Sequence, residues 1–416
     1  MNQFTFEGRE KSVLIGGMLL GVLCLALSFF MDGSPHAGEI HSRFWTNFLH
    51  NAVFFTGISF ISLFLICCAI TAYAGWFAVV KRVWEAFAQF LIVGIILMSI
   101  IIAGIWFDWH HLYHWTDAAA VAADATLSGK SGFLNPTFYT IATLGIMSLW
   151  YFLFARPLRM MSIDEDKSGT ADYAIYRKIK IYAAAFLPIA AFTSCALIWL
   201  WTMSIEPHWY STMYAWYTTA SWLVSALALS LLTVIYLKSK GLLEDVTEEH
   251  VHDLGKLLFA FSVFWTYLWF SQFMLIWYAN IGEETTYFKT RRDEYPVLFF
   301  GNLIMNFGLP FLILMRNETK RKFGSVGFVA LLVLFGHWWD FFYMIKPGVL
   351  KELSHADGVH GPLPSVTGFD FPHLLELGIF VGFLSLFFYF VFNQLTKATL
   401  RPVGDPYYAE SIHHHS

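Results

Sequence analysis

Between Phe44 and Val80 there is no Asp, Glu, Lys or Arg, and only His50 has an ordinary pKa near neutrality. A run of this kind decides the fold class. Placed in hydrocarbon, each of its N–H and C=O groups needs a partner within the segment, which a helix supplies and an open strand does not. It is also far longer than the roughly 10 alternating residues of a barrel strand. Nine further runs approach or exceed the roughly 20 apolar residues that a spanning helix requires: Val13–Met31, Val83–Phe107, Phe138–Phe154, Ile181–Met203, Met213–Leu237, Leu254–Ile281, Val297–Met315, Gly324–Ile345 and Phe371–Asn393. The expectation is an all-α, polytopic membrane bundle of about ten helices, one integral-membrane domain over residues 1–416. At about 1.5 Å per residue the Phe44–Val80 run would reach roughly 55 Å, so it must tilt, bend or protrude, with Gly57 and Gly75 as bend points.

The composition agrees, being 57% hydrophobic and 13% charged, where a soluble domain is about a quarter charged. No basic tract points to nucleic acid. The 26 Lys and Arg residues divide 19 to 7 between alternate connections, which puts both termini in the cytoplasm by the positive-inside rule. The first run follows Arg9 and Lys11 like a signal peptide, but Asp32-Gly-Ser-Pro-His after it lacks a small-residue cleavage pattern, so it reads as a retained helix. The longest connections, Asp108–Thr137, Ala155–Lys180 and Lys346–Asp370, leave no room for a soluble domain. Asn135 and Pro136 read as the cap and first residue of the fourth helix. Pro188 and Pro310 should bend their helices and free a carbonyl within reach of Thr193, Ser194 or Asn306.

Metal chemistry has little to build on. A b-type haem needs axial His residues deep in the bilayer, whereas His36, His41, His50, His110, His111, His114, His208, His337, His355, His360 and His373 fall at or near the outer face. Cys24, Cys67, Cys68 and Cys195 are scattered in apolar helices, which is a pattern of small fillers and not a cluster framework. The expectation is no metal, haem or iron–sulfur cluster on this chain. His110 and His114, with Asp108 and Asp117 nearby, make an i,i+4 metal pair if the segment is helical. Otherwise they belong to an interfacial belt with Trp106, Trp109, Tyr113 and Trp115. The terminal His413–His415 is assigned no function.

Ionisable groups inside spans are costly and mark function by default. His337 and Asp340 lie three apart on one helical face, as do His373 and Glu376. The two pairs fall at similar depth in the outer half and are expected to join in one proton-exchanging cluster. Glu85, Asp253 and Lys256 are cytoplasmic-side proton-path candidates, near enough to helix ends to snorkel. Thr193, Ser194, Thr266, Tyr267, Ser271 and Gln272 are candidate polar lining. Asp108, His110, His114, Glu206, His208 and Trp209 lie where large partners would dock on the outer face.

Two segments go beyond generic membrane sequence: MSIEPHWYSTMYAWY (Met203–Tyr217) and FWTYLWFSQFMLIWYANIGEET (Phe264–Thr285). They resemble the second large integral-membrane subunit (ActF) of bacterial alternative complex III, a quinol:cytochrome c oxidoreductase, whose family is similar to the NrfD-like membrane subunits of polysulfide reductase. The resemblance implies a multi-pass subunit of the bacterial cytoplasmic membrane. Its partners would be a sister NrfD-like subunit, multihaem and monohaem c subunits, an iron–sulfur subunit and a terminal oxidase. The haem c and iron–sulfur clusters would lie in those partners. Quinol is the one cofactor the resemblance leaves open for this chain, and menaquinol and ubiquinol both stay open. The chain would support quinol oxidation by conducting protons, by docking the redox subunits, or purely as a structural anchor. A reading from another class is a stand-alone secondary transporter, which ten helices permit. Transporters usually carry internal repeats and a polar midplane site, and the sequence offers neither.

Overall fold

Each apolar run forms a helix in the computed structural model, which describes residues 3–31, 41–167, 173–356 and 372–415. The ten helices long and apolar enough to cross a membrane are α1 (Arg9–Phe30), α2 (Ser42–Thr71), α3 (Gly75–Trp106), α4 (Pro136–Lys167), α5 (Tyr173–Ile205), α6 (Thr212–Ser239), α7 (Glu248–Ala279), α8 (Pro296–Leu314), α9 (Phe323–Ala356) and α10 (Leu374–Leu395). Among the described residues there is no strand. The chain is a multi-pass helical membrane bundle.

Helices α2, α6 and α9 are buried on nearly all sides, while α1, α4, α5, α7 and α8 turn much of their apolar surface outward. Leu19 and Val22 of α1, Phe192 of α5 and Leu312 of α8 are exposed. In a bilayer such surface meets lipid, so the three central helices carry the polar interior. Helix α1 runs antiparallel along α10. Gln3 Nε2 donates to the Thr396 carbonyl at 2.9 Å, and a Cβ on Gly21 would lie 2.4 Å from the Cα of Gly382. Two facing glycines let the backbones touch, the usual device where lipid removes the hydrophobic drive between helices. The antiparallel pairing puts both chain ends on one side, here called the terminus side.

Several expectations need correction. The charge-free run is not one long helix: α2 ends at Thr71, the chain turns through Tyr73 at φ 54, and a 3₁₀ turn over Gly75–Val80 opens α3. Gly75 is therefore a bend point and Gly57 is not. Gly57 lies inside α2, where a Cβ would meet the Trp222 indole at 1.9 Å. Helix α4 starts as expected, with Asn135 Oδ1 accepting from Phe138 N and Pro136 in the first turn, but passes through a π-helical stretch, Leu149–Ala155, and continues to Lys167. Helix α9 likewise continues beyond Ile345, through Pro347, to Ala356. Pro347 has no N–H for the Tyr343 carbonyl, and buried Arg291 supplies the missing donor: Nε bonds Tyr343 O at 3.1 Å and Nη2 bonds Met344 O at 2.9 Å. His355 lies in the last turn of α9, while His36 and His360, with Asp32-Gly-Ser-Pro-His, lie outside the described residues. At Pro188 the hydroxyls of Thr193 and Ser194 bond Ile189 O and Ala191 O, so neither serves the Ala184 carbonyl that the proline frees. At Pro310 the preceding turn widens to a π-helix, Ile304–Gly308.

Candidate functional site

Asp340 is the centre of the buried polar structure. Its side chain is fully buried, and donors from three helices converge on it: Tyr217 Oη of α6 on Oδ1, Trp265 Nε1 of α7 on Oδ2 at 3.0 Å, and Asn302 Nδ2 of α8 on Oδ1 at 2.7 Å. His337, one turn earlier on α9, places Nδ1 3.9 Å from Oδ2 and shares a 2.9 Å hydrogen bond with Ser221 Oγ of α6. Asn306 extends the network, donating to Asn302 Oδ1 at 2.6 Å and to the Gly336 carbonyl at 2.9 Å. It stands in the π-helical turn of α8, and π-bulges are frequent at functional sites. A Cβ on Gly336 would lie 2.2 Å from Asn306 Oδ1, so this contact needs a residue with no side chain.

Two features make the cluster chemically active in form. Among the described residues no Lys or Arg forms an ion pair with Asp340, and the ionisable side chains that reach it are His337 and the phenol of Tyr217. His337 Nε2 and Asn306 Oδ1 are buried without a partner, and such atoms cost about 1–3 kcal/mol each unless water or another group reaches them. Tyr217 can donate to a carboxylate or accept from a carboxylic acid, because a phenol does both. The network therefore accommodates either protonation state of Asp340 without moving a helix.

Glu376 is built differently, and the expected single cluster does not form. Arg43 grips it bidentately, Nε to Oε1 at 2.8 Å and Nη2 to Oε2 at 3.0 Å, and Asn47 Nδ2 adds a third bond at 3.1 Å. Lys346 Nζ bonds Asn47 Oδ1 at 2.7 Å. Glu376 also accepts from the backbone N–H of exposed His373, which caps α10. No hydrogen bond joins Glu376 to Asp340. His337 and Asp340 face α6, α7 and α8, whereas Lys346 turns to α2. The Glu376 group is a fully paired clamp.

The terminus-side candidates also sit in pairs. Glu85 does not snorkel: it is buried, paired with Arg82 Nη1 at 2.5 Å, beside a second buried cluster in which Lys81 bonds Asp405 at 2.7 Å. Asp253 pairs with Lys256 and His414, each at 2.6 Å, so His414 helps tie the C-terminal tail to α7. The polar-lining residues do not share a lumen. Tyr267 points outward, Thr266 and Ser271 are half-buried, Thr193 accepts from Trp150, and Gln272 is buried with its amide nitrogen unpartnered. Ser194 lines an apolar recess between helices.

Three docking candidates turn inward. Glu206 is buried against Arg291 at 2.6 Å, Trp209 stacks on Tyr287 at 4.1 Å, and His110 bonds the Ile101 carbonyl through Nε2 at 3.1 Å. Asp108, at φ 57, ends the helix, so His110 and His114 form no helical i,i+4 pair. Burial holds the His110 imidazole down to about 4. His208 remains at the surface beside Asp124, whose carboxyl is lowered to about 2, chiefly by that hydrogen bond. Sequence reasoning missed Asn302, Asn306, Arg43, Asn47, Lys346 and Arg291 as members of these sites. Two asparagines four apart in an apolar run carry the same signal as the His–Asp pair. Comparison with models of known protein families finds no match, and comparison with curated proteins finds no relative.

Proposed function

We propose that this chain is a membrane subunit of a quinol:cytochrome c oxidoreductase of the alternative complex III type, in the bacterial cytoplasmic membrane, and that Asp340 exchanges protons within it. One observation carries the reading: the two segments that resemble the family meet at this carboxylate. Tyr217, from Met203–Tyr217, and Trp265, from Phe264–Thr285, both donate to Asp340. Both segments thus aim a side-chain donor at a buried acid that has no Lys or Arg partner among the described residues, in a bundle where polar groups are costly. Quinol oxidation liberates protons, and an acid–imidazole pair among switchable hydroxyl and amide groups is suited to take them up and pass them on. In this reading the haem c and iron–sulfur groups belong to partner subunits, and this chain supplies a docking surface and a proton-exchanging interior.

The test is isolation of the tagged chain from its native membrane. The reading expects co-purifying c-type haem subunits, an iron–sulfur subunit and quinol:cytochrome c reductase activity. A chain recovered alone, active in solute uptake after reconstitution, would replace it with the transporter reading.

A further inference from the structure

The terminus-side ends of α2 and α5 enclose a recess that takes no part in the clusters above. It measures about 510 Å³ and is lined by Tyr73, Tyr173, Arg177, Lys180 and Tyr407, with Ile181 and Ala184 at its membrane end. Lys180 donates to the Tyr73 hydroxyl and lies 3.5 Å from the centre of that ring. Arg177 is exposed and makes no ion pair among the described residues. Two cations, four phenols (Tyr176 is the fourth) and no lining carboxylate form a site for an anion with several acceptor oxygens, such as a phosphodiester. Its level fits a headgroup: Lys180 immediately precedes the apolar run that begins at Ile181, and tyrosines and basic residues anchor helices at that boundary.

A second recess, about 500 Å³, lies deeper between α2, α5, α6 and α7. Its walls are apolar, among them Phe64, Leu223 and Phe264, and on α5 it is lined by Ala191 and Cys195. Lys180, Ala184, Ala191 and Cys195 share one face of that helix, so the basic recess and the apolar one follow the same stripe. Just past the end of α2 the two recesses are neighbours: Ala72 and Ala74 line the apolar one, and Tyr73 between them lines the basic one.

We propose that the two recesses hold one anionic phospholipid, its phosphate between Arg177 and Lys180 and an acyl chain in the apolar recess. A free phosphate would leave the apolar recess without a purpose, and a neutral quinone headgroup would leave two cations unanswered. The lipid stitches the α2 end to α5 from outside the bundle. This inference is independent of the redox reading.

Native mass spectrometry of the full chain in detergent tests it, with phosphatidylglycerol and phosphatidylcholine of identical acyl chains as probes. The chain should retain phosphatidylglycerol in preference. Removing the two charges in an Arg177→Gln, Lys180→Gln variant should lower that retention roughly 10- to 30-fold and that of phosphatidylcholine, whose choline already neutralises its phosphate, by much less. Ala191→Phe, which fills the apolar recess, should lower retention of both lipids. Cys195→Phe serves the same purpose if Ala191→Phe does not accumulate. Equal retention of the two lipids, indifference to the charge removal, or full displacement by inorganic phosphate would overturn the proposal. So would recovery of a quinone in place of phospholipid from the washed chain.

Discussion

A carboxylate buried among helices behaves according to what stands opposite it, and Asp340 and Glu376 have opposite surroundings. Glu376 faces a guanidinium bidentately, with Lys346 one residue further out through Asn47. Neutralising it leaves Arg43 buried without its counter-charge, so Glu376→Gln should cost about 3–5 kcal/mol and appear as loss of folded chain in a thermal melt. Asp340 has donors but no Lys or Arg partner, so Asp340→Asn, which keeps an acceptor for Tyr217 and Asn302 but turns an NH2 toward Trp265, should cost about 1–3 kcal/mol, less than Glu376→Gln. Asp340→Ala strands the Trp265 and Asn302 donors at about 1–3 kcal/mol each and should lower it. A silent Glu376→Gln would contradict the clamp. His110 gives a pH dependence. Its folded value, near 4 through burial, lies below the ordinary histidine value of about 6.5. The unfolded chain therefore binds the extra proton first, and stability present above about pH 6.5 declines as pH falls toward 4. The wild-type melting temperature should fall across that window more steeply than that of His110→Gln, and parallel curves would refute the assignment. The His337–Asp340 spacing was legible in the sequence because i,i+3 fixes a shared face. The identity of the opposing groups was not, since Arg43 and Glu376 are brought together only by tertiary packing.

At the scale of elements, helix length was the weakest expectation and its failures share a cause. Hydropathy ends a span at the first proline or charge, yet α9 passes both Lys346 and Pro347 because Asn47 and Arg291, from distant parts of the chain, satisfy what those residues leave open. Conversely, no charge marks the break after Thr71, which is set by the left-handed Tyr73 and by close approach of Glu410 to Gly75. The attachment of α1 rests on contact between glycines. A Cβ on Gly378 would lie 3.3 Å from Cys24 Cβ, so Gly378→Cys should cross-link to native Cys24 under mild oxidation. Adding Gly21→Val should abolish the cross-link by forcing the backbones apart, whereas its persistence would show that α1 docks by some other contact.

Ten crossings were legible for the whole molecule, because charge-free length is a property of sequence alone; which helices lie at the centre, α2, α6 and α9, emerges only from their packing. Sidedness follows from the 19 to 7 division of Lys and Arg. Cysteine placed at Lys289 should react with an impermeant thiol reagent on intact cells, and cysteine placed at Lys167 should not. The reverse pattern would invert the topology. The central claim is the proposal that the bundle is arranged around a proton-exchanging acid, and the most direct test is Asp340→Asn in the proposed oxidoreductase complex, purified and reconstituted in liposomes. Quinol-driven cytochrome c reduction and proton release should both fall by at least about tenfold, as expected on losing a proton-transfer group, with haem content and assembly unchanged. Wild-type turnover and full proton release in that variant would contradict the account.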